Sequence, residues 1–243
     1  MNYKIYHKSK NNGEYRIIYI VNSEIKQKLK SFLPLFENIF SKLNRSDICY
    51  SFITNKNCSL HAYQHIGYNF TLSLDIKDFF DSVTKEHFKN IVDAEIIEEC
   101  FINNTLGQGL PTSPILSNIA LNKTDNMIIN MLNDMKFKYI YTRYADDMVF
   151  SFNEKDKSQL IFTIVKYILE LNNFKLNYKK NKLQFSKNGR RVITGIAVDN
   201  SRIYATRKTK KKIRSALHKG NIYSLIGLHE YEKCKLPRKV IYE

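Results

Sequence analysis

Long apolar runs are missing from this 243-residue chain: nothing in it approaches the ~18 residues that a membrane-spanning helix requires. The opening Met1-Asn2-Tyr3-Lys4-Ile5-Tyr6-His7-Lys8 likewise lacks the apolar stretch of a secretory signal. Both absences predict a cytoplasmic protein with no membrane partner. Cysteine is scarce and dispersed, at Cys49, Cys58, Cys100 and Cys234, with none of the close pairs that hold structural zinc. Reduced, packed thiols are the expectation. With 8 Gly and 4 Pro, the chain is too poor in both for a collagen-like or loop-dominated architecture. No repeat, low-complexity tract or Pro/Gly/Ser linker interrupts it. Acid is the last deficit, and it is local. Residues 175–243 carry 19 Lys and Arg against four acids (Asp199, Glu230, Glu232 and Glu243), whereas residues 1–174 carry 20 against 19. Nearly all of the net charge of +16 therefore belongs to the last 69 residues. A block so biased repels itself unless it faces a polyanion. A merely lysine-rich composition would spread the excess evenly.

What is present is an ordinary globular composition, 43% hydrophobic and 13% aromatic, long enough to bury a substantial core. Residues 15–21, rich in β-branched and aromatic side chains, predict a strand. Apolar positions at Ile25, Leu29, Phe32, Leu33, Phe36, Ile39, Phe40 and Leu43 predict a helix over 23–43, capped by Ser23 and bent or divided at Pro34. A strand over 70–76 follows, then helices over 84–103 and about 114–134. Strands at 137–144 and 148–153 are separated only by Ala145-Asp146-Asp147, a tight hairpin with acids at its tip. A helix over about 156–172 precedes short strands near 182–186, 191–198 and 202–205, and a basic helix runs over about 206–218. Strands crossing helices around a central hairpin predict an α+β fold rather than a doubly wound parallel sheet.

Two acidic runs carry the chemistry. Asp146 and Asp147 would repel each other at the tip of a hairpin whose flanks, Tyr139-Ile140-Tyr141 and Met148-Val149-Phe150, are apolar enough to be central. Asp75 ends the apolar Phe70-Thr71-Leu72-Ser73-Leu74 in the same way. Carboxylates from distant stretches at strand ends are the hard oxygen ligands of a two-metal phosphoryl-transfer site. On the acids alone, nucleases remain contenders. A third element is Gln108-Gly109-Leu110-Pro111-Thr112-Ser113-Pro114, a turn fixed by Gly and Pro ahead of a helix. Its small side chains and exposed backbone would let a flat partner approach closely.

In this order, strand-Asp, Gln-Gly-x-Pro-x-Ser-Pro turn and Tyr-Ala-Asp-Asp hairpin, the chain resembles the reverse transcriptases, in particular those of bacterial retrons and group II introns. The likeness covers nearly the whole chain. It includes Arg16-Ile17-Ile18-Tyr19 as a first finger strand, residues 75–80, 108–114 and 144–147 as the three central motifs, Asn177-Tyr178-Lys179-Lys180 as the next, and Arg191–Gly195 as the strand leading to the thumb. His61-Ala62-Tyr63-Gln64-His65 and Ile193-Thr194-Gly195 are similar to two retron elements, each departing at one position; at 61 the retron residue is Asn.

The resemblance implies a right-hand polymerase fold, with fingers and palm over 1–190 and a short basic helical thumb over 191–243. It implies that Asp75, Asp146 and Asp147, with the backbone carbonyl of Ile76, hold two Mg²⁺ ions (Mn²⁺ as a substitute) roughly 4 Å apart. Lys180 would protonate the leaving pyrophosphate, with Lys179 and Lys182 as neighbours able to take that part. Arg16 would reach the incoming phosphates with a bidentate guanidinium. Asp78, Phe79 and Phe80 would line the nucleotide site, Phe80 excluding a ribose 2′-hydroxyl, while Gln108 and Gly109 border the nascent base pair. Arg207, Lys208, Lys210, Lys211, Lys212 and Arg214 would track a phosphate backbone from one helix, and Ser224–Tyr231 would form a second thumb helix. The implied partners are an RNA template and primer, deoxynucleoside triphosphates, a cognate non-coding RNA with its DNA product, and an effector protein. The short thumb favours a compact retron-type enzyme in anti-phage defence over an intron mobility protein. Two other readings stay open: a non-retron defence enzyme making untemplated or repetitive DNA, and a catalytically idle RNA-binding scaffold.

Overall fold

The computed structural model describes residues 3–9, 13, 15–43 and 47–237. β1 (Tyr3–Ser9) and β2 (Tyr15–Val21) form an antiparallel ribbon in register Tyr3↔Val21 to Ser9↔Tyr15. The apolar stretch after it makes two helices, α1 (Ser23–Ser31) and α2 (Leu33–Lys42), divided at Phe32. Pro34 lies in the first turn of α2, where its missing N–H breaks no helical bond. The cap of α1 is Asn22 rather than Ser23: its Oδ1 accepts the Ile25 N–H at 2.8 Å. α3 (Cys58–Tyr63), β3 (Phe70–Asp75) and the single turn α4 (Phe79–Ser82) come next.

The helix expected over 84–103 is not continuous. A 3₁₀ turn at Lys85–Phe88 ends near Asn90, whose φ of +63° is left-handed, and Asp93 then caps a new helix, α5 (Ala94–Glu99), through the Glu95 N–H. Local capping by Asn and Asp overrides the apolar spacing. The stretch 114–134 likewise divides at Leu121 into α6 (Ser113–Ala120) and α7 (Asn122–Asp134). β4 (Tyr139–Tyr144), β5 (Asp147–Phe152), α8 (Lys157–Leu171) and β6 (Lys182–Phe185) fall close to expectation. The strand expected over 191–198 is a hairpin, β7 (Arg191–Ile193) and β8 (Ile196–Val198), turned by Thr194 and Gly195 at φ +44° and +82°. A Cβ at Gly195 would sit 2.8 Å from the Tyr231 hydroxyl, so this turn needs its glycine for space as well as for φ. β9 (Ile203–Ala205), the basic α9 (Arg207–His218) and α10 (Ile222–Glu232) complete the order. No helix among the described residues is long and apolar enough to cross a membrane.

The chain divides into two compact units, each assembled from three separate stretches. The first comprises Met1–Arg45, Lys77–Asn130 and Tyr167–Lys175. Leu29, Phe36, Phe88, Leu106, Leu116 and Phe174 are buried in it, each stabilising by roughly 1.5–3 kcal/mol relative to exposure. The second comprises Ser46–Ile76, Met131–Lys166 and Leu176–Glu243. It holds a four-stranded sheet in the order β4-β5-β3-β6 and a three-stranded sheet in the order β7-β8-β9. Ala62 on α3, Val149 on β5, and Ile193, Ile196 and Val198 on β7 and β8 share one buried cluster.

Candidate active site

The acids gather in the second unit because of strand register. β3 pairs antiparallel with β5 so that Asp75 lies opposite Asp147, and β5 pairs with β4 so that Tyr144 lies opposite Asp147. Ala145 and Asp146 are thus the two central residues of the β4–β5 hairpin. The Ile76 N–H donates to the Asp146 carbonyl at 3.1 Å, fastening the end of β3 to the turn. Leu176 bridges Ile76, which brings Asn177 and Lys180 to Asp75. Asp75 is 3% exposed; its Oδ1 accepts from Asn177 Nδ2 at 3.0 Å and its Oδ2 from Lys180 Nζ at 2.8 Å. The Asn177 N–H also donates to the Asp75 carbonyl at 2.8 Å. In the sequence Asn177 stands out only as part of a motif; its amide is the main partner that residue-by-residue reading misses.

These charges shift one another. Burial first, then Asp146 and Asp75, push the Asp147 carboxyl up to about 6, with Lys180 pulling the other way. Burial and Asp75 raise Asp146 as well. Burial opposes the Lys180 charge, but the three carboxylates outweigh it and hold the ammonium above the ordinary lysine value. The trio is therefore short of positive charge, and one ammonium only partly supplies it. Hard oxygen donors that repel one another in a partly buried place fit a divalent cation by chemistry. They are not drawn up as a finished cage: among the described residues no group of three or more His, Cys, Asp or Glu is set to hold a metal ion.

The residues expected at the nucleotide site belong to the first unit. Arg16 is exposed on β2, opposite Lys8. Further along the same strand, the Tyr19 N–H donates to the Gln108 carbonyl at 2.8 Å. Gly109, at φ +108°, lies so close that a Cβ there would stand 2.5 Å from the Tyr19 carbonyl oxygen. The Gln-Gly turn is thus tied to the strand that bears Arg16. Asp78 is exposed at φ +45°, ahead of α4. Phe79 is buried, with Phe174 at 6.2 Å between ring centroids, so of the aromatic pair it is Phe80 that keeps a partly exposed face. In the second unit, α9 turns Thr209, Ile213 and Ala216 inward and leaves Arg207, Lys208, Lys210, Lys211, Lys212 and Arg214 all exposed.

The two histidines ahead of β3 are buried in the second unit. His65 is bonded through both nitrogens, Nδ1 to Ser151 Oγ at 2.9 Å and Nε2 to Thr142 Oγ1 at 2.6 Å. Ser151 continues to Thr71, and Thr71 to the buried guanidinium of Arg191. His61 meets Thr194 Oγ1 at 3.0 Å through Nδ1. Burial depresses both imidazoles, His61 to about 3. His65 is a satisfied core histidine, cross-linking β4 and β5.

A family model described as "Reverse transcriptase (RNA-dependent DNA polymerase)" matches residues 7–215. The chain belongs to this family. It is an RNA-directed DNA polymerase by that membership, and the expected family, enzyme class and α+β fold are borne out. Among curated reverse transcriptases, it is 33% identical to that of retron Ec73 from Escherichia coli, over 87% of this chain and 75% of that protein. To the retron Ec86 reverse transcriptase of the same organism it is 29% identical, over 89% and 69%. To the retron Mx65 enzyme of Myxococcus xanthus it is 25% identical, over 86% of this chain and 54% of that protein. Two solved structures share the fold: apo telomerase from Candida tropicalis lacking its C-terminal domain (TM-score 0.60, 15% identity, 84% of this chain and 55% of that one) and a foamy viral protease-reverse transcriptase in complex with double-stranded DNA (TM-score 0.59, 17% identity, 95% and 42%). The reverse transcriptase chain thus spans about half the length of these two structures.

Proposed function

We propose that this reverse transcriptase is of the retron type and copies part of a cognate structured non-coding RNA into DNA. The observation that supports the polymerase site is the facing of Asp75 and Asp147 across β3 and β5, with Asp146 on the turn and Lys180 on Asp75; the retron typing is supported by the likeness to the retron Ec73 enzyme. Asp75, Asp146, Asp147 and the Ile76 carbonyl would hold two Mg²⁺ ions, which supply charge neutralisation at the phosphates and activation of the primer hydroxyl. The protein's own groups do the rest. Lys180, kept protonated by the acids around it, carries a proton for the leaving pyrophosphate. Arg16 binds the incoming phosphates, Gln108 and Gly109 support the nascent pair, and Phe80 excludes the 2′-hydroxyl, with Asp78 and Phe79 shaping its surroundings. The cations of α9 follow the nucleic-acid backbone. In this reading residues 1–190 act as fingers and palm and 191–243 as thumb, in the cytoplasm, beside an effector protein in anti-phage defence.

Co-expression with its flanking DNA, purification, and sequencing of the bound nucleic acid test this directly. A branched RNA–DNA product supports the retron assignment, whereas homopolymer or tandem repeats would replace it with a defence enzyme of another type. Deoxynucleotide incorporation by an Asp146→Asn, Asp147→Asn variant at the wild-type rate would remove the assigned metal site.

A further inference from the structure

The turn that carries the acids is in a conformation its sequence does not favour. Ala145, the first central residue of the hairpin, has φ +55°. Two-residue hairpins of this kind ordinarily place glycine or asparagine at a positive φ, because a Cβ crowds the carbonyl there. Such a residue persists only where its surroundings over-determine it. Here they do. The Ala145 N–H donates to Ser51 Oγ at 2.7 Å, and the Ala145 carbonyl accepts from Arg143 NH1 at 3.3 Å. Both polar groups of the strained residue are therefore held by side chains.

Those side chains are themselves fixed. Arg143 is fully buried on β4, two residues before Ala145. Its NH2 reaches Cys49 Sγ at 2.9 Å. The segment 48–51 runs parallel along the β4 edge: the Arg143 N–H donates to the Ile48 carbonyl and the Tyr50 N–H to the Arg143 carbonyl, each at 2.8 Å. That pairing delivers Ser51 to Ala145. A long cationic side chain is costly to bury, and this one ends at the peptide directly before Asp146.

We propose that Ser51 and Arg143 are positioning residues for the reaction: together they clamp Ala145 in its left-handed conformation and so aim the Asp146 and Asp147 carboxylates. The proposal rests on the reading of those two acids as the metal-holding pair. Both clamp residues are fully buried, so their effect on the reaction runs through Ala145. Their part is to keep the turn from relaxing to negative φ, which would swing the next peptide and displace both carboxylates.

The test uses the full chain with its co-purified nucleic acid. Ser51→Ala should lower kcat for deoxynucleotide incorporation by about ten- to a hundredfold at nearly unchanged KM, the scale expected when acting groups move by an ångström or less. The same variant should bind Mn²⁺ several-fold more weakly by electron paramagnetic resonance titration, with its melting temperature close to wild type. Ser51→Thr, which keeps the hydroxyl, should restore both readouts. Ala145→Gly should shrink the Ser51→Ala penalty, because glycine keeps φ +55° without help; this coupling separates a clamp from a merely structural hydroxyl. Arg143→Met should act in the same direction if it folds, but Ser51 decides the matter. Wild-type kcat and Mn²⁺ affinity in Ser51→Ala, or strict additivity with Ala145→Gly, would overturn the clamp. If Asp146→Asn, Asp147→Asn is inactive while Ser51→Ala is normal, the clamp alone fails. If that double variant remains active, it is the metal reading that fails.

Discussion

Asp147 is raised to about 6 while an unfolded chain would hold it near 3.8. The folded state therefore binds the proton more tightly, and stability is lost, not gained, as pH rises through 6, by about 3 kcal/mol at most. A divalent cation would remove that penalty. Thermal melts should accordingly show a larger Mg²⁺ or Mn²⁺ stabilisation at pH 7.5 than at pH 5, and Asp147→Asn should raise the metal-free melting temperature at pH 7.5. An equal metal effect at both pH values would place the binding elsewhere. His61 has the opposite sign. Its folded value of about 3 lies below an unfolded 6.5, so its full stability is present above 6.5 and is lost as pH falls towards 3. At pH 5 the loss is roughly 2 kcal/mol. His61→Asn should flatten the fall in urea midpoint between pH 7 and 5; an unchanged slope would mean that another group governs it. At this scale the acids were legible because paired carboxylates at the ends of apolar strands have few uses. Asn177 and Ser51 were not, since they become neighbours of Asp75 and Ala145 only through pairing between distant stretches, and Arg143 was not, since the Cys49 segment that buries it against the turn arrives by the same kind of pairing. The hint for Arg143 was a lone cation in an otherwise uncharged strand, Tyr139-Ile140-Tyr141-Thr142-Arg143-Tyr144.

Elements were legible where one periodicity acts unopposed. β2, β3, α8 and α9 match their expected spans to within two residues, since alternation or helical spacing runs from one end to the other. Spans 84–103 and 191–198 failed because short polar signals interrupt them: a left-handed Asn90 with the Asp93 cap, and the Thr194-Gly195 turn. Glycine carries the same lesson in two directions. At Gly109 a substituent would meet the Tyr19 carbonyl at 2.5 Å and φ is +108°, so Gly109→Ala should cost about 2 kcal/mol or more and loosen the turn from β2. Gly227 lies inside α10, where a Cβ would meet no atom within 4 Å. Gly227→Ala should therefore stabilise by about 0.5–1 kcal/mol, through helix propensity alone. Denaturant midpoints of the two variants, moving apart from wild type in opposite directions, check both; a stabilised Gly109→Ala would show that the close approach to Tyr19 is not a constraint.

Across the whole molecule, composition showed an uneven charge but not the way the chain is partitioned. Each compact unit draws on three stretches, and β3 and β5 must come together across more than seventy positions, which no local pattern announces. The charge asymmetry, by contrast, survives folding intact. All six cations of α9 point outward while its buried side is Thr209, Ile213 and Ala216, so neutralising the outer face leaves the core packing as it is. That separation makes electrostatics testable apart from stability. Lys210→Gln, Lys211→Gln and Arg214→Gln together should weaken RNA binding to a similar degree whatever the sequence of the RNA. They should also flatten the dependence of log affinity on log salt by up to about 0.7–0.9 for each phosphate that is no longer neutralised. Melting temperature should stay near wild type, because exposed cations on one helix face repel each other more than they support the fold. Filter binding or fluorescence anisotropy across a salt series reads both quantities. A loss confined to one RNA sequence would mean that the helix reads bases. An unchanged slope would mean that the surplus of positive charge in the last 69 residues answers to some other polyanion-facing surface than α9.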